Sequence, residues 1–99
     1  MLKVENMHSP RTGREVPNQF VIRSGDKTMF QSYQSPIVEI DYYTHAIHVY
    51  EDWNYSRTTS KYRNQFLDEQ GFYELVGEDL SAMDSCKING RTWEIVREF

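Results

Sequence analysis

Residues 53–71 read WNYSRTTSKYRNQFLDEQG, and this stretch decides the fold because its residue pattern changes from that of a strand to that of a helix. The residues expected to face the core recur at intervals of four, three and four: Tyr55, Thr59, Tyr62 and Phe66. That spacing keeps them on one side of an α-helix. Ser56 suits the N-cap, and Gly71 suits the left-handed position that follows a helix. The sequence therefore predicts a helix over residues 57–69.

Upstream of the helix, apolar residues recur at nearly every second position, as they do in strands. The predicted strands cover residues 20–23, 28–33, 37–43 and 46–50. In the third of these, Ile37 falls on the opposite side from the inward set of Val38, Ile40 and Tyr42. We expect the helix to bury Tyr55, Tyr62 and Phe66 against Ile22, Phe30, Val38, Ile40 and Val49.

The two ends of the chain differ in how clearly they predict structure. Asn89-Gly90 predicts a two-residue turn between strands, because both residues tolerate a positive φ. By contrast, Pro10, Gly13 and Pro17 indicate that residues 1–18 are irregular, either as a mobile N-terminal arm or as a segment laid over the domain. The expected fold is one small α+β domain, residues 1–99. An antiparallel sheet of about four to six strands carries one main helix on one face, and a β-hairpin ends the chain.

The distribution of charge is more informative than its total. The 99 residues include 11 Lys or Arg and 15 Asp or Glu, a net charge of −4, which argues against a general nucleic-acid coat protein. No Lys or Arg lies between Lys27 and Arg57 or between Arg63 and Lys87. One interpretation is a solvated, solubilising surface, and the other is an acidic face that binds a basic partner. The residues of that face would be Glu39, Asp41, Asp68, Glu69, Glu74, Glu78, Asp79 and Asp84.

The predicted helix also supports an alternative, which is contact with nucleic acid. Arg57 and Lys61 are one turn apart, Arg63 is close by, and a helix N-terminus favours a phosphate. The competing interpretation is structural, with the aromatic residues packed on the sheet and the cations extended into water.

Signs of catalysis are weak. Cys86 is the single cysteine, His45 and His48 lack the spacing of a strand metal site, and the glycines form no phosphate loop. We therefore predict no catalytic residue, metal ion or cofactor. An unrecognised enzyme that uses Cys86 or His48 stays as a third alternative.

Three segments resemble a family of small proteins encoded by bacteriophages and other mobile elements, which has no established activity. They are residues 18–22 (NQFVI), 30–37 (FQSYQSPI) and 53–67 (WNYSRTTSKYRNQFL), and the resemblance covers roughly residues 12–68. It implies a phage setting and supplies no site residues.

This setting, together with the acidic charge, favours a non-enzymatic interaction protein. Its partner would be a basic host protein, by analogy with phage inhibitors of CRISPR-type nucleases, and an exposed sheet edge or aromatic patch would suit a homodimer. The longest apolar runs are too short for a membrane span, and the first residues lack an apolar signal core, so we expect the cytoplasm of a bacterial host cell.

Overall fold

The computed structural model describes residues 1–99 and consists of one β-sheet with one α-helix. The strands are β1 (Leu2–His8), β2 (Glu15–Ser24), β3 (Lys27–Ser32), β4 (Ser35–Asp41), β5 (Ala46–Val49), β6 (Ser85–Ile88) and β7 (Arg91–Arg97). The helix, α1, spans Arg57–Glu69, and two short 3-10 turns follow it at Tyr73–Leu75 and Leu80–Ala82. The fold is α+β, as predicted, but the seven strands exceed the expected four to six.

The sheet is mixed, whereas the sequence predicted a wholly antiparallel one. Its strand order is β1-β2-β3-β4-β5-β7-β6, and β1 to β5 form an antiparallel meander. β7 pairs in parallel with β5 because the chain crosses over through α1 before it re-enters the sheet. The C-terminal hairpin is confirmed: β6 and β7 are antiparallel, and both turn residues, Asn89 and Gly90, have positive φ.

Most of residues 1–18, predicted to be irregular, instead belong to β1 and the start of β2, and residues 9–14 form the loop between them. β1 pairs with β2 in regular register from Leu2↔Ser24 to Asn6↔Phe20. Pro17 is tolerated because it lies where a register shift interrupts the β1–β2 ladder. The sequence missed β1 because this strand lies at the sheet edge, where most side chains are exposed and no apolar alternation is required.

The core lies between the sheet and α1. The rings of Phe30 and Phe66 stack with their centroids 5.8 Å apart, which fixes the face of the sheet that the helix covers. The predicted core residues Phe30, Val38, Ile40 and Val49 are all buried. Ile22 is not among them, because its neighbour Val21 is the direct cross-strand partner of Phe30 and takes the inward position.

β4 carries a local irregularity that overturns the predicted facing of Ile37. Phe30 pairs with Val38 and Gln31 with Pro36, so the register shifts and Ile37 is left as the extra residue. As a result Ile37 and Val38 are both buried, although simple alternation places them on opposite faces. β4 also ends at Asp41, so Tyr42, predicted to face inward, lies in the following turn and is 39% exposed.

Candidate functional site

The helix begins and ends where the sequence predicted. Ser56 caps its N-terminus, because the Ser56 Oγ accepts a hydrogen bond of 3.1 Å from the Thr59 amide. At the other end, Gly71 has a φ of 86°, the left-handed conformation that ends a helix. The two ends of α1 are surrounded by very different side chains, and each is a candidate site.

The buried side of α1 is rotated from the predicted one. Thr59, Arg63, Phe66 and Leu67 are its buried residues. Tyr62 is partly buried and packs against the core, whereas Tyr55 is 78% exposed. Tyr55 precedes the N-cap, so the helical period does not determine where its side chain points. The buried position that the apolar spacing did not predict is held by an arginine, Arg63.

Arg63 is 4% exposed and holds neighbouring segments together. Its Nη1 donates to the Trp53 carbonyl at 2.6 Å and to the Asn54 Oδ1 at 3.3 Å, and its guanidinium lies 4.9 Å from the centre of the Trp53 ring. Its Nη2 donates to the Asn64 Oδ1 at 3.4 Å. Burial lowers the pKa of Arg63. The predicted nucleic-acid contact therefore loses this residue, because its cation is used inside the fold.

The other two basic residues of the predicted nucleic-acid contact, Arg57 and Lys61, are exposed. Lys61 places its Nζ 5.3 Å from the centre of the Tyr62 ring. Neither residue forms a salt bridge, so both cations are available to a ligand.

A groove of about 850 Å³ lies at the N-terminal end of α1. Three chain segments form it: the start of β2, the β3–β4 turn and the residues around the helix cap. Its lining is rich in hydroxyl and amide groups. The lining residues are Asn18, Phe20, Ser32, Tyr33, Gln34, Ser35, Ile37, Asp52, Tyr55, Ser56, Thr58 and Thr59. All but Asp52 belong to the three segments that carry the resemblance, which are far apart in sequence and meet here. We call this feature the helix-cap groove.

Two residues of the helix-cap groove have left-handed backbones. Asn18 and Tyr33 have φ values of 65° and 55°, and the Tyr33 amide donates to the Asn18 carbonyl at 2.7 Å. A left-handed backbone is common for asparagine but sterically costly for tyrosine. The Tyr33 ring is nevertheless 58% exposed, so core packing does not account for the tyrosine. The sequence did not indicate this feature, because Tyr33 was predicted to end a strand, whereas the structure places it in a two-residue turn where glycine or asparagine is usual.

The eight predicted acidic residues do not form one face. Asp41 is buried, and its Oδ1 accepts hydrogen bonds from the amides of Tyr43 at 3.0 Å and Thr44 at 3.2 Å. The hydrogen bond from the Thr44 amide lowers the pKa of Asp41 the most, and burial opposes it. Glu39 is half-buried and sits between Met29 and His48 in a cross-strand row on the sheet face away from the helix. These two residues therefore leave the predicted acidic face.

The remaining six acidic residues are all exposed and lie from the last turn of α1 to the residue before β6. They are Asp68, Glu69, Glu74, Glu78, Asp79 and Asp84, and we call residues 68–84 the acidic segment. Asp84 pairs with Arg97 at 3.2 Å, and none of the other five forms a salt bridge. The last turn of α1 has no basic residue, so Asp68 and Glu69 stand uncompensated at the negative end of the helix dipole.

The groups considered for catalysis are not brought together. Cys86 is the cross-strand partner of Trp93 on the helix-covered face, whereas His48 is the partner of Val96 on the opposite face. Burial raises the pKa of the Cys86 thiol, and the charges of Glu74 and Glu78 add to this effect. His48 instead places its Nδ1 2.6 Å from the Glu98 Oε1. No group of three or more His, Cys, Asp or Glu side chains is arranged to hold a metal ion.

Comparison with known proteins identifies one family. No curated protein and no solved structure matches the chain. None of its helical segments combines the length and the apolar character that crossing a membrane requires. A model of DUF8033, a family of unknown function, matches residues 2–82, which include the helix-cap groove and most of the acidic segment but not the C-terminal hairpin. The chain therefore belongs to the DUF8033 family.

Proposed function

We propose that this protein is a non-enzymatic interaction protein that binds a basic partner protein through the acidic segment. The observation that carries the proposal is the order of charges along α1. Arg57 and Lys61 lie in its first half, and Asp68 and Glu69 lie in its last turn. This is the reverse of the arrangement that a helix dipole favours.

The reversed order costs stability. An acidic side chain near a helix C-terminus is unfavourable by about 0.3–1 kcal/mol, and a basic one near the N-terminus by a similar amount. Asparagine or glutamine at positions 68 and 69 would remove that cost without changing the shape of the helix. Carboxylates at positions where folding disfavours them point to a role in binding.

Five of the six exposed carboxylates of the acidic segment, all but Asp84, also remain free of salt bridges and available to a partner. Glu69 accepts a hydrogen bond from Gln65 at 3.0 Å and Asp79 accepts one from the Ser81 amide at 3.1 Å, but neither contact neutralises the charge. No Lys or Arg lies between Arg63 and Lys87 to reduce the local negative charge. A surface of one sign raises the rate of encounter with an oppositely charged surface and fixes its orientation.

A groove that binds nucleic acid in a host protein has the required positive charge, because phosphate contacts are made mainly by Lys and Arg. We therefore propose a stoichiometric inhibitor that competes with nucleic acid for such a groove. The resemblance to phage proteins supports a host defence protein, such as a CRISPR-type nuclease, as the partner. The proposal therefore includes the cytoplasm of a bacterial cell as the place of the encounter.

The test compares two variants with equal net charge. Asp68→Asn/Glu69→Gln/Glu74→Gln/Glu78→Gln neutralises four residues of the acidic segment. Glu15→Gln/Asp26→Asn/Glu51→Gln/Glu94→Gln neutralises four exposed acidic residues elsewhere. Binding to a CRISPR-type nuclease is measured by biolayer interferometry at about 0.05 M and about 0.5 M salt, since exposed charges are screened at the higher concentration.

We expect the wild type and the control variant to bind the nuclease at low salt and the acidic-segment variant to lose most of that binding. Cytochrome c serves as a basic protein without a nucleic-acid groove, and it should bind much more weakly. Equal binding by both variants, or binding that does not fall with salt, contradicts the use of the acidic segment. Absence of binding by the wild type excludes this nuclease as the partner.

One observation favours a second candidate, binding of single-stranded nucleic acid. The exposed rings of Tyr33 and Tyr55 border the helix-cap groove, and the free cations of Arg57 and Lys61 lie on the adjoining helix. Bases stack on aromatic rings while cations contact the backbone. A gel shift with single-stranded DNA and RNA at low salt tests this, with Arg57→Gln/Lys61→Gln as the variant expected to lose the shift. No shift by the wild type removes the candidate.

A further inference from the structure

We propose that β1 pairs with β1 of a second copy of this chain, antiparallel and centred on Val4, so that the two sheets join into one. The proposal rests on the free edge of the sheet and does not depend on the proposed function.

The edge formed by β1 is open. β1 has one neighbour in the sheet, β2, and its residues Leu2 to Glu5 are all exposed. Alternate backbone groups of an edge strand point away from its neighbour and are available for a further strand. The opposite edge, β6, has only four residues, whereas β1 has seven and contains no proline or glycine.

The free part of this edge has a defined length. The β1–β2 register is regular from Leu2 to Asn6 and then shifts before His8. Met7 is buried, and the His8 carbonyl already accepts a hydrogen bond of 2.7 Å from the Gln65 Nε2. Pairing with another strand is therefore limited to Leu2–Asn6, and the middle residue of that segment is Val4.

The charges on β1 select the same centre. Lys3 and Glu5 flank Val4 on one side of the strand, and within the chain their side chains pair at 3.2 Å. In an antiparallel pair centred on Val4, Lys3 lies opposite the partner's Glu5, and Glu5 lies opposite the partner's Lys3. Centring on Lys3 or on Glu5 instead places two like charges opposite each other, which is destabilising. A slip of the partner strand by one residue would turn its side chains to the other face of the sheet. The nearest registers that keep the faces matched are therefore those centred on Lys3 or on Glu5.

The apolar side of β1 also favours pairing centred on Val4. Val4, Ile22 and Met29 form one cross-strand row on the sheet face that α1 does not cover. Val4 is 55% exposed at the end of that row. Pairing centred on Val4 brings it against the partner's Val4, so that the row continues through the partner's Ile22 and Met29. A second copy is therefore the occupant that fits both the charges and the apolar row of this edge.

The arrangement leaves the acidic segment free. The Asp84–Arg97 ion pair joins that segment to β7, near the opposite edge of the sheet from β1. The dimer would thus present two acidic segments, one at each end of the joined sheet.

The test is a charge-swap series followed by sedimentation equilibrium, with the chain concentration raised to about 1 mM. We expect the wild type to shift from 11.8 kDa towards twice that mass. Lys3→Glu and Glu5→Lys should each weaken dimerisation at least tenfold, because each places like charges opposite each other twice. An equimolar mixture of the two single variants should form heterodimers, and the double variant Lys3→Glu/Glu5→Lys should regain homodimers.

Lys87→Glu is the matched control, because it reverses an exposed lysine on the other edge strand and should leave dimerisation unchanged. Unchanged circular dichroism of each variant establishes that it is folded. A wild type that stays monomeric at 1 mM overturns the proposal. A Lys3→Glu variant that dimerises as well as the wild type, or a mixture that fails to form heterodimers, overturns the proposed register.

Discussion

The N-terminal end of α1 is stabilised by the residues around it, whereas the C-terminal end is not. At the N-terminal end, the chain supplies its own cap through Ser56, and hydroxyl and amide groups line the groove beside it. At the C-terminal end, Asp68 and Glu69 add negative charge to a helix end that is already negative, and more carboxylates follow. Folding explains the first arrangement and opposes the second.

Each end also holds one feature that folding does not explain. At the N-terminal end it is the strained backbone of the exposed Tyr33, and at the C-terminal end it is the charge of the five unpaired carboxylates of the acidic segment. A protein keeps unfavourable features mainly where they serve binding or activity. The N-terminal end thus carries backbone strain and the C-terminal end carries unpaired negative charge. Measurements of the free energy of unfolding can distinguish these two effects.

Arg63→Ala should have the largest effect, because Arg63 connects both ends of the helix. It binds the Trp53 carbonyl before the helix, and it shares the Asn64 Oδ1 with the Gly77 amide of the acidic segment. Removing the guanidinium takes the Arg63 hydrogen bond from the partly buried Trp53 carbonyl and empties a buried position of the helix, so we expect a loss of about 2–4 kcal/mol in the free energy of unfolding. Urea denaturation provides the measurement.

The matched control is Arg57→Ala, which removes an exposed cation from the unfavourable N-terminal end of the same helix and should cause no loss of stability. An equal loss of stability in both variants would contradict the role of Arg63 as the residue that links the two ends of α1.

Tyr33→Asn should stabilise the protein, because asparagine adopts a left-handed backbone more readily than tyrosine. Relief of that strain is worth about 1 kcal/mol. Tyr55→Asn is the control, since Tyr55 also lines the helix-cap groove but is not among the residues with positive φ. Thermal and urea unfolding should show a gain for the first variant and none for the second, and a loss in both would contradict strain at Tyr33.

Asp68→Asn/Glu69→Gln should also stabilise the protein, by about 0.5 kcal/mol, because it removes negative charge from the negative end of α1. The gain should disappear at about 1 M salt, where exposed charges are screened. Glu51→Gln/Glu94→Gln removes two exposed charges that lie outside the helix, and it should give no comparable gain. A loss of stability in the first variant would show that these carboxylates support folding and would remove the main argument for a binding role.

Local signals in the sequence predicted the helix and its ends well. The Ser56 cap, the position of Gly71 and the Asn89-Gly90 turn depend on a few adjacent residues, and all three are confirmed. The parallel pairing of β5 with β7 depends on a crossover of some forty residues, which no local pattern encodes.

The site predictions failed where a side chain's environment is set by distant parts of the chain. Arg63 looked like a surface cation because arginine is rarely buried, and its acceptors at Trp53 and Asn54 lie in a loop whose path the sequence does not specify. Asp41 looked like part of an acidic face, but the turn after β4 places two amides on its carboxylate. The helix-cap groove was missed because its three segments meet only in the folded chain.

The smallest effect is expected at Asp41. Its carboxylate contributes to folding through two amide hydrogen bonds, in contrast to the carboxylates of the acidic segment. Its folded-state pKa lies below the ordinary value of about 3.9. The charged form therefore stabilises the fold at pH values above that ordinary value, and the contribution is lost as the pH falls through the depressed pKa. Asp41→Asn keeps an acceptor oxygen, so it should reduce stability only slightly at pH 7.

Urea unfolding of the wild type and Asp41→Asn, followed from pH 7 to about pH 3, measures the difference between them; it should be constant above about pH 5 and should shrink below the ordinary pKa. Asp26→Asn, in the exposed loop before β3, is the control for a change of net charge. A difference that persists unchanged at pH 3 would mean that the Asp41 charge is not what the Tyr43 and Thr44 amides stabilise. In that case the charge of Asp41 would contribute no more to folding than the charges of the acidic segment, and the distinction between the two kinds of carboxylate would rest on burial alone.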